Sequence, residues 1–288
     1  MGASISNVAI RTYENNVRHL AQQGITRLLP WVQVRSEQSK SHSWELMAKN
    51  SVQAKTRSMA TPDNDTQWSR RVSVPISRAI GDLTDRQDIV QMAVDPNSNY
   101  AKSHGMAMRR AHDTEIITRA IGTSADDSGT PITFPATQDV GSDTATFSFD
   151  LITEVTEKFM LNDIDPDEPK VFVISPAMAR RLLQLTEATS GDYNALKPLT
   201  AKGYIESWMG YTWIVSTLLT SKSTGVRYSF AMTRQAMGFN INDDIHAEIA
   251  MDPSMSFAWR VYCESTFGAI RVEDQHLVRV ATVEAAAT

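Results

Sequence analysis

The chain has a single cysteine in 288 residues, so Cys263 has no partner for an internal disulfide. Its neighbours Val261, Tyr262 and Phe267 are strand formers, which reads Cys263 as a small buried residue and not a nucleophile. No apolar run approaches the roughly 18 residues needed to cross a bilayer. The amino terminus lacks a basic segment followed by an apolar one, so the expectation is a protein that is not exported by a signal peptide and does not enter a membrane. Hydrophobic residues at 42% and charged residues at 21% exclude collagen-like, disordered and disulfide-scaffold classes.

Catalytic constellations are missing as well. There is no Gly-rich phosphate loop of the Walker or dinucleotide type, and no nucleophile elbow. His19, His42, His104, His112, His246 and His276 never recur at the i, i+4 spacing that sets two metal ligands on one helical face. His104 and His112 sit two helical turns apart, about 12 Å, and are read as surface or capping residues. The acidic run Asp163, Asp165, Asp167, Glu168 alternates like a calcium loop, but Pro166 and Pro169 interrupt it and the required glycine and terminal glutamate are absent, which favours a solvated turn. Asp126-Asp127 and Asp243-Asp244 read as turn residues. No catalytic, cofactor or metal-binding residue is assigned.

Charge is uneven. Residues 1–125 hold 16 Lys plus Arg against 11 Asp plus Glu, a balance of +5, and residues 126–288 hold 12 against 22, a balance of −10. Overall acidity argues against nucleic-acid affinity as the main role. A basic front half and an acidic back half attract each other instead, within one chain or between copies.

The pattern along the chain mixes helices and strands. Ile10, Tyr13, Val17, Leu20 and Ala21 make one stripe on an amphipathic helix over 8–22 that ends at Gly24. From Ser36 to Asp65 the chain is polar, with isolated Trp44, Leu46, Met47, Val52 and Met59. Trp68, Arg70, Val72, Val74 and Ile76 then alternate with polar residues at the period of a half-exposed strand, so 36–78 reads as a long polar hairpin. Asp95-Pro96-Asn97 opens a helix of about 24 residues that closes at Gly122, with Ala107, Ala111, Thr114, Ile117 and Ile121 on one face and Lys102, Arg109, Arg110 and Asp113 on the other. A helix over 150–162, a buried strand over 170–175 and a helix from Ser175-Pro176 follow. Strand signals continue from Tyr211 to Val280.

Five segments stand out in their order: Arg70-Arg71-Val72 through Asp82-Leu83-Thr84-Asp85; Ala107-Met108-Arg109-Arg110-Ala111-His112-Asp113 with Gly122-Thr123; Asp165-Pro166-Asp167-Glu168-Pro169 with Val173-Ile174-Ser175-Pro176; Ser190-Gly191-Asp192-Tyr193-Asn194 with Gly210-Tyr211-Thr212-Trp213; and Gly268-Ala269-Ile270-Arg271-Val272-Glu273. In that order they resemble the major capsid proteins of tailed bacteriophages with the Hong Kong 97-like fold. The resemblance spans about residues 10–282. It implies an α+β chain with an amino-terminal arm (1–37), an extended β-hairpin loop (38–78), a peripheral lobe with a long spine helix (79–148), an axial lobe (149–252) and return strands of the peripheral lobe (253–288).

The implied function is structural. The subunit would self-assemble as pentamers and hexamers into an icosahedral virion head, built in the host bacterial cytoplasm. Scaffolding, portal and decoration proteins are the implied partners, and packaged double-stranded DNA would be touched only weakly and non-specifically. Candidate subunit-interface residues are Trp44, Met47, Met59, Trp68, Arg70 and Arg71 of the hairpin and Tyr13, Val17 and Leu20 of the terminal helix. An encapsulin-type nanocompartment shell shares the fold and is the alternative; a soluble enzyme of unrecognised chemistry is the lesser one.

Overall fold

The computed structural model describes residues 22–61, 64–85, 97–185 and 205–284. Residues 8–21 of the helix expected over 8–22 and the Ser190–Asn194 segment lie outside those residues. The chain opens with strands β1 (Gln33–Ser36), β2 (His42–Met47), β3 (Trp68–Ser73) and β4 (Ile76–Thr84), then helix α1 (Asn97–Ile121). Short strands β5 (Ser124–Ala125), β6 (Pro131–Ile132) and β7 (Asp139–Gly141) lead to helix α2 (Phe149–Leu161), strand β8 (Lys170–Ile174) and helix α3 (Pro176–Leu182). The remainder is strand: β9 (Ser207–Trp208), β10 (Tyr211–Val215), β11 (Ser221–Ser223), β12 (Val226–Thr233), β13 (Met237–Asp252), β14 (Ala258–Arg271) and β15 (Leu277–Val283). The described residues fall into two compact units, one of 22–25, 77–85, 97–110 and 244–265, the other of 26–61, 64–76, 111–185, 205–243 and 266–284.

The larger unit is built on a sheet ordered β7-β15-β12-β8-β10-β9. β8 is buried at every position, because its Val-Phe-Val-Ile run meets apolar layers on both faces. Phe172 and Ile174 pack with Ile152, Val155 and Phe159 of α2, while Val171 and Val173 pack with Ile116, Ile117 and Ala120 of α1. Ser148 starts α2 by accepting a hydrogen bond from the Leu151 N–H, and Ser175 starts α3 by accepting from that of Met178 ahead of Pro176, which satisfies helix donors that would otherwise be unpaired. Phe147, Phe172, Tyr211 and Trp213 stack edge and face around β10.

α1 ends where the Gly122 stop places it, while the Asp95-Pro96 start lies outside the described residues; Ile117 and Ile121 are buried as expected, but the rest of the buried face is rotated. Met108, Ile116 and Ala120 are buried at i, i+4 steps along with His104 and His112, whereas Thr114 is exposed and Asp113 is 2% exposed. Asp113 is inside because its carboxylate accepts the backbone N–H groups of Arg27 at 2.9 Å and Leu28 at 3.2 Å. The two helical histidines are likewise not at the surface. His112 meets the Phe267 ring edge-on at 4.3 Å, and His104 Nε2 lies 2.8 Å from the Asp82 carboxylate.

One acidic run differs from its sequence reading, while the Asp163–Pro169 segment is the exposed turn expected. Asp126 does cap a turn, accepting the N–H groups of Ser128 and Thr130, but Asp243-Asp244 continues β13 with both side chains exposed. That strand lies between β1 and β14, so ladder hydrogen bonds outweigh the poor strand propensity of aspartate while its charge stays in water. The Asp163–Pro169 segment is organised around a cation that the chain supplies itself. The Lys170 ammonium donates to the carbonyls of Asp165, Pro166 and Glu168 at 2.8–3.1 Å.

In the smaller unit the turn after β13 is held by Asp252, whose carboxylate accepts from the N–H and hydroxyl of Ser254 and pairs with Arg260 at 2.9 Å. Met255 and Phe257 are more than half exposed there, and Ser256 and Phe257 adopt positive φ.

Candidate assembly surface

β2 and β3 form a two-stranded antiparallel sheet in the register His42 opposite Ser73 through Met47 opposite Trp68. A half-buried strand ordinarily turns its apolar side to its own body. β3 inverts that rule. Arg71 and Ser73 are buried, while Trp68 is 67% exposed and Val74 and Ile76, just beyond the strand, are 60% and 48% exposed.

The inward face is a polar seat. The Ser73 hydroxyl donates to Asn240 Oδ1 at 2.9 Å. Arg71 Nη2 donates to Asp274 at 2.8 Å, and the same carboxylate accepts from Arg271 Nε at 2.5 Å. Arg271 is fully buried. It also donates to the carbonyls of Gly122, Ile132 and Thr133, and burial pushes its pKa down. Arg279 pairs bidentately with Asp139 at 2.6 Å and donates to the Ile121 carbonyl at 2.9 Å. Two arginines from the returning strands thus satisfy carbonyls at the negative end of α1, where cations are favoured. Trp44 adds an apolar contact with Ile270 and Val272. Residue 238 must be glycine beneath it, since a Cβ there would lie 2.4 Å from the indole.

The outward face is unlike the seat. Met47 is 58% exposed across from Trp68, and Met59 in the connecting loop is 43% exposed. Arg70 spans Glu45 at 2.9 Å and Asp127 at 3.5 Å, and Lys49 reaches Asp163 at 3.1 Å.

The candidate interface residues therefore separate. Met47, Met59, Trp68 and Arg70 lie at the surface, Trp44 and Arg71 are buried within their own unit, and Tyr13, Val17 and Leu20 fall outside the described residues. Part of the attraction between basic front and acidic back is realised inside the chain, through Arg71 with Asp274, Arg70 with Asp127 and Lys49 with Asp163. The residues that make the seat, Gly238, Asn240, Arg271, Asp274 and Arg279, were not singled out from sequence. Arg271 carried a signal: an arginine inside the apolar run Gly268-Ala269-Ile270-Arg271-Val272 marks a buried charge that requires partners.

Comparison with known families identifies this architecture. Residues 5–284 match the profile of the phage capsid protein family. The chain belongs to that family. Among solved structures, the capsid of the cyanophage P-SCSP1u superposes with a TM-score of 0.77 at 14% identity, covering 99% of this chain and 96% of that one. Mycobacterium phage Che8 gives 0.74 at 16% identity, covering 96% and 98%. The capsid of the native GTA particle gives 0.71 at 12% identity, covering 98% and 99%. At such identities the superpositions speak for the fold, and the α+β Hong Kong 97-like fold expected from the sequence is the one observed. No curated protein matches the sequence. As a phage capsid protein the chain is a structural component of a virion, and the nanocompartment alternative is not favoured.

Proposed function

We propose that this capsid protein assembles with copies of itself, as pentamers and hexamers, into a closed icosahedral head around double-stranded DNA, and that the outward face of the β2–β3 hairpin packs on a neighbouring copy. The observation that carries the reading is the hairpin's two faces: Arg71, Ser73 and Trp44 seat it on its own subunit, and apolar Met47 and Trp68 face water, as do Val74 and Ile76 just beyond it. Natural proteins blunt exposed apolar strands with charge or cover them, and a shell subunit covers them with another subunit. On this reading residues 38–78 are the extended loop, 79–148 and 253–288 the peripheral lobe, and 149–252 the axial lobe. Scaffolding, portal and decoration proteins are the further partners, assembly takes place in the host cytoplasm, and the acidic overall charge leaves DNA contact weak and non-specific.

The test is electron microscopy and light scattering of the expressed protein, alone and co-expressed with a scaffolding protein. Closed particles of icosahedral symmetry are the expected product, and deletion of residues 50–64 is expected to leave a soluble subunit that forms none. A monomer that never associates at high concentration overturns the reading.

A further inference from the structure

We propose that the hairpin is a hinged strap held to its own subunit by a charge latch, in which the Asp274 carboxylate clasps Arg71 of the strap and Arg271 of the body. Its importance for assembly rests on the reading above; the latch itself is a property of one chain.

Little backbone ties the strap down. β2 and β3 pair with each other and form a separate sheet, and among the described residues one isolated bridge, between Arg71 and Asp126, ties their backbone to a neighbouring turn. An isolated two-stranded hairpin is marginal in water, so side chains must seat it. Arg71 with Asp274, Ser73 with Asn240 and Trp44 on Ile270 and Val272 do so. The strap leaves the body through Val74-Pro75, where Pro75 has no N–H to give to a ladder, and passes so close to Gly268 that a Cβ there would stand 3.0 Å from the Val74 carbonyl.

The charges at the seat are unequal. Two guanidiniums share one carboxylate, and proximity to Arg71 is one of the influences that lower the pKa of Arg271. Arg71 Nη1 is buried with no hydrogen-bond partner among the described residues. The two arginines also differ in how they are kept. Arg271 is anchored by three carbonyls of the body besides Asp274, whereas the hydrogen bond that ties the Arg71 side chain to the body goes to Asp274. If that contact is lost, Arg71 regains full hydration and is pushed outward by Arg271, while Arg271 stays in place. Buried ion pairs return little net stability but are costly to break on one side only, which suits a clasp that is either closed or open.

The test is hydrogen exchange read by mass spectrometry on the full-length, unassembled chain. In Arg71→Met, amides of β2 and β3 are expected to exchange about tenfold faster or more, with those of β8 and β12 within about twofold of wild type, the pattern of sub-global opening. Asp274→Asn is expected to open the strap further, because two unneutralised guanidiniums then face each other, and Arg71→Lys, which keeps the charge, is expected to hold it closed. Unchanged strap protection in Arg71→Met would mean that Trp44 and Ser73 hold the hairpin alone, and protection lost equally from β8 and β12 would make Arg71 an ordinary core residue; either outcome overturns the latch. Particle microscopy of the same variants addresses the assembly reading separately. An opened strap with normal particles leaves the latch standing and removes the hairpin from the assembly contact.

Discussion

Tyr211 shows how one side chain sets a limit on the whole subunit. It is 1% exposed, and burial pushes its pKa from 10.0 up to about 12, against the smaller opposing effect of its hydrogen bond with Thr156 at 3.0 Å. The folded state therefore holds the phenolic proton more tightly than the unfolded chain does. Stability from this group is fully present below pH 10 and is lost as pH rises through the folded pKa, on the order of 2–3 kcal/mol across that window. Tyr211→Phe is expected to cost about 0.5–1.5 kcal/mol at neutral pH, one hydrogen bond, since Thr156 keeps its bond to the Ile152 carbonyl. It is also expected to flatten the alkaline limb of a denaturation curve between pH 10 and pH 12. Equal alkaline slopes for variant and wild type would locate the sensitivity elsewhere.

At the scale of elements, the hairpin separates two kinds of apolar contact. The cross-strand pair of Met47 and Trp68 contributes to the ladder only about 0.2–1 kcal/mol, because both side chains face water. The double change Met47→Ser with Trp68→Ser is therefore expected to lower subunit stability by under about 1 kcal/mol in urea while reducing particle yield severely. Equal yields would show that this face stays uncovered in the shell. Sequence periodicity was sufficient to find β3 and to end α1 at Gly122. It was insufficient to orient either, for a common reason. Arg71 and Ser73 are buried by partners 203 and 167 residues away, and Asp113 by backbone groups 86 and 85 residues before it. A polar side chain turns inward when a distant partner waits there, and local spacing does not contain that information. The seat itself was legible only at Arg271, where a charge interrupts an apolar run.

For the whole molecule, the opposed balances of +5 and −10 act at two ranges. Arg70, Arg71 and Lys49 spend their charge on acids of the same chain, so reversing Arg70 and Arg71 would disturb the fold of the hairpin as well as any contact between copies. Salt is the cleaner probe. Raising it from about 0.05 M to about 0.5 M shortens the Debye length roughly threefold and is expected to slow assembly, measured by light scattering, while the buried Arg71–Asp274–Arg271 cluster is screened little. An unchanged rate would assign subunit orientation to apolar contacts alone. The position of that cluster also bears on when a subunit becomes competent. Gly122 waits for Arg271, which lies 149 residues further along, and Arg71 waits for Asp274, 203 residues further. At a synthesis rate of roughly 5–20 residues per second, a nascent chain spends on the order of ten seconds or more with its hairpin translated but unseated. The clasp closes only when residues 271–274 have left the ribosome, so the order of translation leaves the hairpin unseated until nearly all of its own body has been made.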